Sequence, residues 1–315
     1  PERDAEELSI LLALGTVLLA STGYSSEEAR NAYARAEELC ARLGSEDDRF
    51  TALRGLWAFH TARGDYRAAE QHARELLAIA ERRSEPALLL EAYRSLGNTL
   101  FWVGETHDAI ETMERAIDLY RLERDRELAF RFGQDPDVAC KGLQSWPLTL
   151  MGRVAEAEER LAGSFARAEE VAHPYSLGYA YVHLAVTQQM RGDIAGTLAT
   201  AERAIELSSA RGFPNWLLAG LMLKGWAVAA SGDPATGKGL LESTLGTWRG
   251  IGCGLAVPYF LTLLGEVLLM EGDPARALEV LDDALVVTER QEERWYEPET
   301  RRLRARALQE GGAPG

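Results

Sequence analysis

Apolar residues recur along this chain at helical spacing, and no stretch sustains an alternation of period two. Runs such as "YRSLGNTLFWV" (93–103) and "LTLLGEVLLME" (261–271) end at a glycine followed by a polar residue or proline, after which a second amphipathic run begins. The interruption itself repeats. Gly64, Gly104, Gly152, Gly192, Gly232 and Gly272 occupy equivalent settings at intervals of 40, 48, 40, 40 and 40 residues. An earlier copy lies near "ASTGYSSEEA" (20–29), and one more step of 40 reaches Gly312. The pattern predicts an all-α array over 1–315, about seven helical pairs plus a final helix at 297–310, with a flexible tail at 311–315. Gly-Asp-Pro suits the turn, since glycine ends one helix and proline is tolerated in the first turn of the next. A single pair cannot bury its own apolar faces, so stacking must supply the core.

Within each unit the spacing resembles the tetratricopeptide repeat, W-x2-L-G-x2-Y followed by A-x3-F. The matches are Tyr93, Leu96, Gly97 and Leu100, then Ala109, Met113 and Ala116; and Leu261, Leu264, Gly265 and Leu268, then Ala277, Leu281 and Ala284. Leu11, Leu14, Gly15 and Leu18 repeat the first part. The resemblance implies a right-handed superhelical solenoid. The period here is 40 rather than the usual ~34, and the extra residues carry a proline beside aromatics, as in "ARGFPNWLLA" (210–219) and "QEERWYEPET" (291–300).

Longer phrases, among them "RGLWAFHTARGDYRAAE", "GFPNWLLAGLMLKGWAVA" and "ERWYEPETRRLRARALQE", resemble the C-terminal repeat region of large bacterial regulators. In those regulators a STAND/AAA-type ATPase is coupled to an effector, often a class III nucleotide cyclase; MalT-like LuxR-type activators have a similar layout. The resemblance implies a regulatory and protein-binding segment of a signalling protein. Its partner would be a protein or peptide, or another domain of its own chain. The alternative reading is a small-molecule sensor with an aromatic-lined groove. The chain starts at Pro1 without a methionine, which fits a segment of something longer.

In tetratricopeptide arrays the first helix of each unit lines the concave face. Alignment on the repeat then places Arg54, Arg94, Asn98, Trp102, Trp146, Tyr179, Val182, Met222, Trp226, Tyr259, Thr262 and Glu266 on the inner surface. Trp, Tyr and Arg are favoured where binding energy concentrates. The competing reading is that these side chains pack between units. Arg94 and Asn98 also match positions where peptide-binding members hold a C-terminal carboxylate, but Leu143, Tyr179 and His183 stand where the rest of that clamp belongs. The 48-residue interval, about eight residues longer than the others, contains the stretch 121–138 and brings Arg131, Gln134 and Asp135 toward the groove mouth. Pro147 falls inside a first helix, where it removes a hydrogen bond.

Composition narrows the function. Lys plus Arg number 34 against 49 Asp plus Glu, a net charge of −15 that repels a phosphate backbone and argues against nucleic acid. Cys40, Cys140 and Cys253 are far apart with no C-x-x-C pair, which reads as free thiols in a reducing cytosol. The longest apolar run, "ILLALGTVLLA" (10–20), is too short to span a bilayer. The five histidines show no metal-ligand spacing, and no nucleophile pattern stands out, so no catalytic, cofactor or metal site is expected.

One motif argues otherwise. "SGDPATGKGLL" (231–241) fits the opening of the phosphate-binding loop G-x-x-x-x-G-K-[ST], with Gly239 where a hydroxyl belongs. The segment before it is in phase with runs read as helices, whereas a phosphate loop follows a strand. Here it is expected to be the turn of the sixth repeat.

Overall fold

The computed structural model describes residues 2–312, so part of the tail expected at 311–315 lies outside the described residues. The described residues are helical throughout, with no strand among them. The pairs are α1 (Glu2–Thr22) with α2 (Glu27–Leu43), α3 (Glu46–Arg63) with α4 (Tyr66–Arg83), and α5 (Pro86–Trp102) with α6 (Thr106–Leu119). After two short helices, α7 (Leu122–Asp125) and α8 (Leu128–Phe132), come α9 (Pro136–Leu150) with α10 (Val154–Val171), and α11 (Pro174–Met190) with α12 (Ile194–Arg211). The array ends with α13 (Pro214–Ala230) and α14 (Pro234–Gly250), α15 (Val257–Glu271) and α16 (Pro274–Gln291), and α17 (Glu297–Glu310). Each long helix packs on the next long one, and the first helices of successive pairs, α1, α3, α5, α9, α11, α13, α15 and finally α17, also pack on one another as an inner layer. This is an all-α tetratricopeptide-type solenoid.

The turns form for the reasons the repeat gives. Gly232 (φ +110°) and Gly272 (φ +83°) take the left-handed conformation that costs other residues strain. The aspartate that follows caps the next helix: Asp233 accepts from Thr236 N at 3.1 Å and Asp273 from Arg276 N at 3.0 Å. Within a pair, Gly265 lets α15 close on α16; a methyl group there would sit 2.6 Å from Leu281 Cγ.

The phosphate-loop motif is this same turn. Residues 231–233 link α13 to α14, Pro234 starts α14, and Gly237 and Lys238 lie inside that helix. Lys238 donates to Glu271 at 2.5 and 2.8 Å, so its ammonium is engaged by a neighbouring unit.

The inner layer does not line an open groove. The solenoid curls until its sixth and seventh units meet its first three. Gly254 N and Leu255 N donate to Ala62 O at 2.8 and 3.1 Å, and Arg294 N donates to Trp102 O at 2.9 Å. Tyr66 donates its hydroxyl to Glu293 at 2.7 Å, and Ser25 donates to Ile251 O at 2.9 Å. These contacts form a seam between residues more than 180 apart in sequence.

The expectation of an open concave surface is therefore corrected. Trp102, Trp146 and Trp226 are 3%, 5% and 3% exposed, and Met222, Tyr179 and Tyr259 are also buried. The cause is the aromatic column the curl brings together. Tyr179 stacks on His183 at 3.7 Å, His183 on Trp146 at 4.3 Å, and Trp146 on Trp295 at 5.2 Å, while Trp102 meets Trp295 edge-on at 5.9 Å. Burying rings of 150–250 Å² each favours closure over an open, wet groove.

The insertion forms two short helices rather than an extension of α6. Asp125 holds their start by accepting from Arg121 N at 2.8 Å. Pro147 sits in the last turn of α9, which continues to Leu150.

Candidate functional site

The curled inner layer does not fill its axis completely. A chamber of about 110 Å³ remains, walled by Trp57, Trp102, Trp146, Tyr179, Trp216 and Phe260. A vestibule of about 220 Å³ lies beside it, between α1, α3, the α7–α8 insertion and the start of α11. Tyr24 and Arg54 line both spaces and so form the neck between them.

The charged cluster beside the chamber comes from α3 and α5, with Arg54 and Arg94 in its wall and Glu91 behind them. Arg54, Glu91 and Arg94 are 3%, 0% and 3% exposed. Arg94 takes Glu91 with Nε (2.9 and 3.0 Å) and Nη2 (2.6 Å), while Arg54 donates only its Nε to the same carboxylate. Both guanidiniums lie against Trp57, at 4.5 and 5.0 Å from its ring. Burial and the like charge of Arg94 pull the Arg54 pKa down. Arg94 is desolvated too, yet Glu91 outweighs that and holds its pKa up. Glu91 stays below the ordinary carboxylate range because the two arginines outweigh its own desolvation.

Several polar atoms of residues lining the chamber have no partner: Gln134 Nε2, Thr61 Oγ1 and Trp216 Nε1. Unsatisfied buried groups are uncommon in folded proteins, so three around one small space need a reason. His183 is spent: its Nδ1 bonds Tyr179 O at 2.9 Å, and burial pushes its pKa down to about 3, so it is neutral. The histidine of the vestibule, His173, contacts Ser176 at 2.9 Å, but that serine is buried and also accepts from Asp135 N. Among the described residues no group of His, Cys, Asp and Glu is arranged to hold a metal ion, and no helix is long and apolar enough to cross a membrane.

The structure sorts the sequence-derived candidates. Arg54, Arg94, Asn98, Trp102, Trp146, Tyr179, Val182, Tyr259 and Gln134 converge on the chamber, and Arg131 lines the vestibule. Asn98 accepts from Trp102 Nε1 at 3.0 Å, which ties it to the wall. Asp135 is not at the mouth. It caps α9 through Val138 N (2.9 Å) and accepts from Tyr120 (2.8 Å), a wholly buried structural role. Trp226 donates to Glu266 at 2.7 Å beside a different, shallow depression, and Met222 and Thr262 are core. On α17, Arg301, Arg302, Arg304 and Arg306 pair with Glu297, Glu299, Asp282 and Glu310 in turn.

Sequence reasoning missed Glu91, Trp57, Thr61, Trp216 and the seam residues Glu293 and Trp295. Glu91 stands three residues before Arg94 on one helix, a spacing that signals an ion pair. Nothing local signals the seam.

No family model matches the chain. An uncharacterized protein of Rhizobium meliloti (strain 1021) is 25% identical over 304 residues, covering 96% of this chain and 29% of that protein. The chain thus spans less than a third of the length of this relative. Among solved structures, a Rap protein complexed with competence and sporulation factor superposes with a TM-score of 0.56 at 12% identity, over 97% of this chain and 98% of that one. Aspartyl phosphate phosphatase F from Bacillus subtilis gives 0.52 at 10% identity, over 90% and 77%. The human IFIT1 dimer with PPP-AAAA gives 0.53 at 13% identity, over 91% and 66%. At these identities the likeness is one of fold.

Proposed function

We propose that this segment is a ligand-sensing regulatory module of a longer bacterial signalling protein. A small molecule occupies the chamber inside the curled solenoid, and a neighbouring domain or partner protein responds to how firmly the solenoid is closed. The observation that carries this reading is the set of unpartnered donors, Gln134, Trp216 and Thr61, around an aromatic chamber at the axis of the curl. The chamber touches both sides of the seam, since Ala62 and Trp102 line it together with Leu255 and Ala256. Occupancy and closure are therefore coupled through shared walls, and a ligand with higher affinity for the closed state shifts the population toward it. The relative in Rhizobium, more than three times the matched length, supports a place within a larger chain.

Protein recognition through an open inner face is the weaker reading, because that face is consumed by the aromatic column. Peptide passage along the axis is opposed by the seam and by the small chamber volume.

The test is a thermal-shift screen of a chemically broad metabolite set against the wild-type chain and Ala219→Phe, which places a ring in the chamber from α13. Ligand at a hundred times its dissociation constant adds about 2.7 kcal/mol to the folded state. Compounds that raise the melting temperature of the wild type and not of Ala219→Phe support the proposal. A screen in which no compound moves the wild type, or in which both proteins respond alike, refutes it.

A further inference from the structure

We infer that the chamber takes a small organic monoanion, a carboxylate carried on one flat apolar ring system, with Arg54 as its charge partner. This deepens the sensing reading and rests on it.

The charge count is the first ground. Two arginines and one glutamate are buried together, and among the described residues Glu91 is the only carboxylate hydrogen-bonded to either guanidinium. The cluster is one positive charge in excess. An excess charge kept out of water destabilises a fold unless something neutralises it. Arg54 carries that excess, because Glu91 gives both oxygens to Arg94 and only one to Arg54. The Nη1 and Nη2 groups of Arg54 have no acceptor among the described residues, and they stand at the neck of the chamber. A guanidinium edge with two free N–H groups matches the two oxygens of a carboxylate.

The second ground is independent of charge. Gln134 is 6% exposed, lines the chamber, and leaves its Nε2 without a partner; Trp216 Nε1 and the Thr61 hydroxyl are also unpaired. An amide N–H and an indole N–H can only donate, so a ligand that pairs with them brings acceptors.

The walls and the volume give the body of the ligand. Indole and phenol rings surround the space, and about 110 Å³ is well below the ~300–1,000 Å³ of drug-sized sites, so the occupant has one ring system. A single excess charge fits a monoanion. A phosphate ester, at roughly −1.5 to −2 near neutral pH, is mismatched. Arg131, on the vestibule wall and exposed, extends the same sign of charge to the mouth of an otherwise acidic protein.

The experiment uses the 315-residue chain and four probes at millimolar concentration, benzoate, indole-3-carboxylate and their neutral carboxamides, with phenyl phosphate as a comparison ligand of higher charge. Readouts are melting temperature and tryptophan fluorescence, since Trp57, Trp102, Trp146 and Trp216 wall the chamber. The expected result is that the acids raise the melting temperature and change the fluorescence, and the carboxamides do neither. Arg54→Met leaves a neutral Glu91–Arg94 pair, so it folds and loses the response to the acids. Gln134→Met removes an unpaired donor, so it melts no lower than the wild type and binds the acids about tenfold more weakly, the weight of one charge-assisted hydrogen bond. If Arg54→Met fails to fold, Gln134→Met and Arg131→Gln carry the test.

Carboxamides acting as well as the acids, phenyl phosphate binding as tightly as benzoate, or an Arg54→Met protein responding like the wild type each overturn the monoanion assignment and leave the sensing reading standing. Silence toward all four probes overturns the assignment. The sensing reading falls with it only when the wider metabolite screen is silent too.

Discussion

Replacing Glu293 with glutamine removes a buried titration from the seam. Burial pushes this carboxyl up to about 7 from an ordinary value of 4.5, against donation from Tyr66, Trp295 and the Ala256 amide. None of those three partners carries a positive charge, so the carboxylate lacks the counter-ion that would make its charged form easy to bury. The folded protein holds the proton through a range in which the unfolded chain has released it. The stability this contributes is fully present below the unfolded value and is lost as pH rises through the folded one. At 1.36 kcal/mol per pKa unit, the loss between about pH 4.5 and about pH 8 is on the order of 3 kcal/mol. Glutamine keeps the shape and cannot titrate. The assay is urea denaturation of both proteins across that pH range, reading the difference between them. Other titrations cancel in this difference. They include Asp135, pushed up to about 6, and His183, pushed down to about 3, which give slopes of opposite sign. The variant should gain on the wild type steadily as pH rises. Parallel stability profiles would refute a seam carboxyl that folds protonated.

Three further outcomes are expected. Trp146→Ala removes the ring stacked between His183 and Trp295 and should cost about 3–5 kcal/mol in denaturation, with increased hydrogen exchange at the Arg294 amide, whose acceptor Trp102 O belongs to the same cluster. Cys40, Cys140 and Cys253 are buried with their thiols shifted upward, Cys40 to about 11, so a thiol reagent at neutral pH should label none in the native protein and all three in denaturant. Lys238→Ala loses a partly exposed pair with Glu271 and should leave the melting temperature within scatter; ATP affinity that vanished in this variant would contradict the reading of residues 231–241 as a turn.

Much of the architecture was legible because repeats are local. The 40-residue spacing, the Gly-Asp-Pro turns and the small residue facing each second helix are all written within a few turns of one another. The same alignment found Arg54, Arg94, Trp102, Trp146, Tyr179 and Tyr259 as one inward set, since the phase of a helix fixes which side chains share a face. The separate reading of the 121–138 insertion misplaced Asp135, whose neighbours Tyr120 and Ser176 come from beyond its own repeat.

The sequence by itself determined the helices, their pairing, the order of stacking and the inward direction of the aromatic residues. Whether that inward face was a wet groove or a sealed core lay outside its reach, because closure depends on curvature summed over seven units. A small change in rotation per repeat decides whether Ala62 meets Gly254 and Trp102 meets Arg294, or whether both stay in water. Only the tertiary structure set that sum. It turned a presumed docking surface into an aromatic column and left a small chamber with Arg54 at its neck.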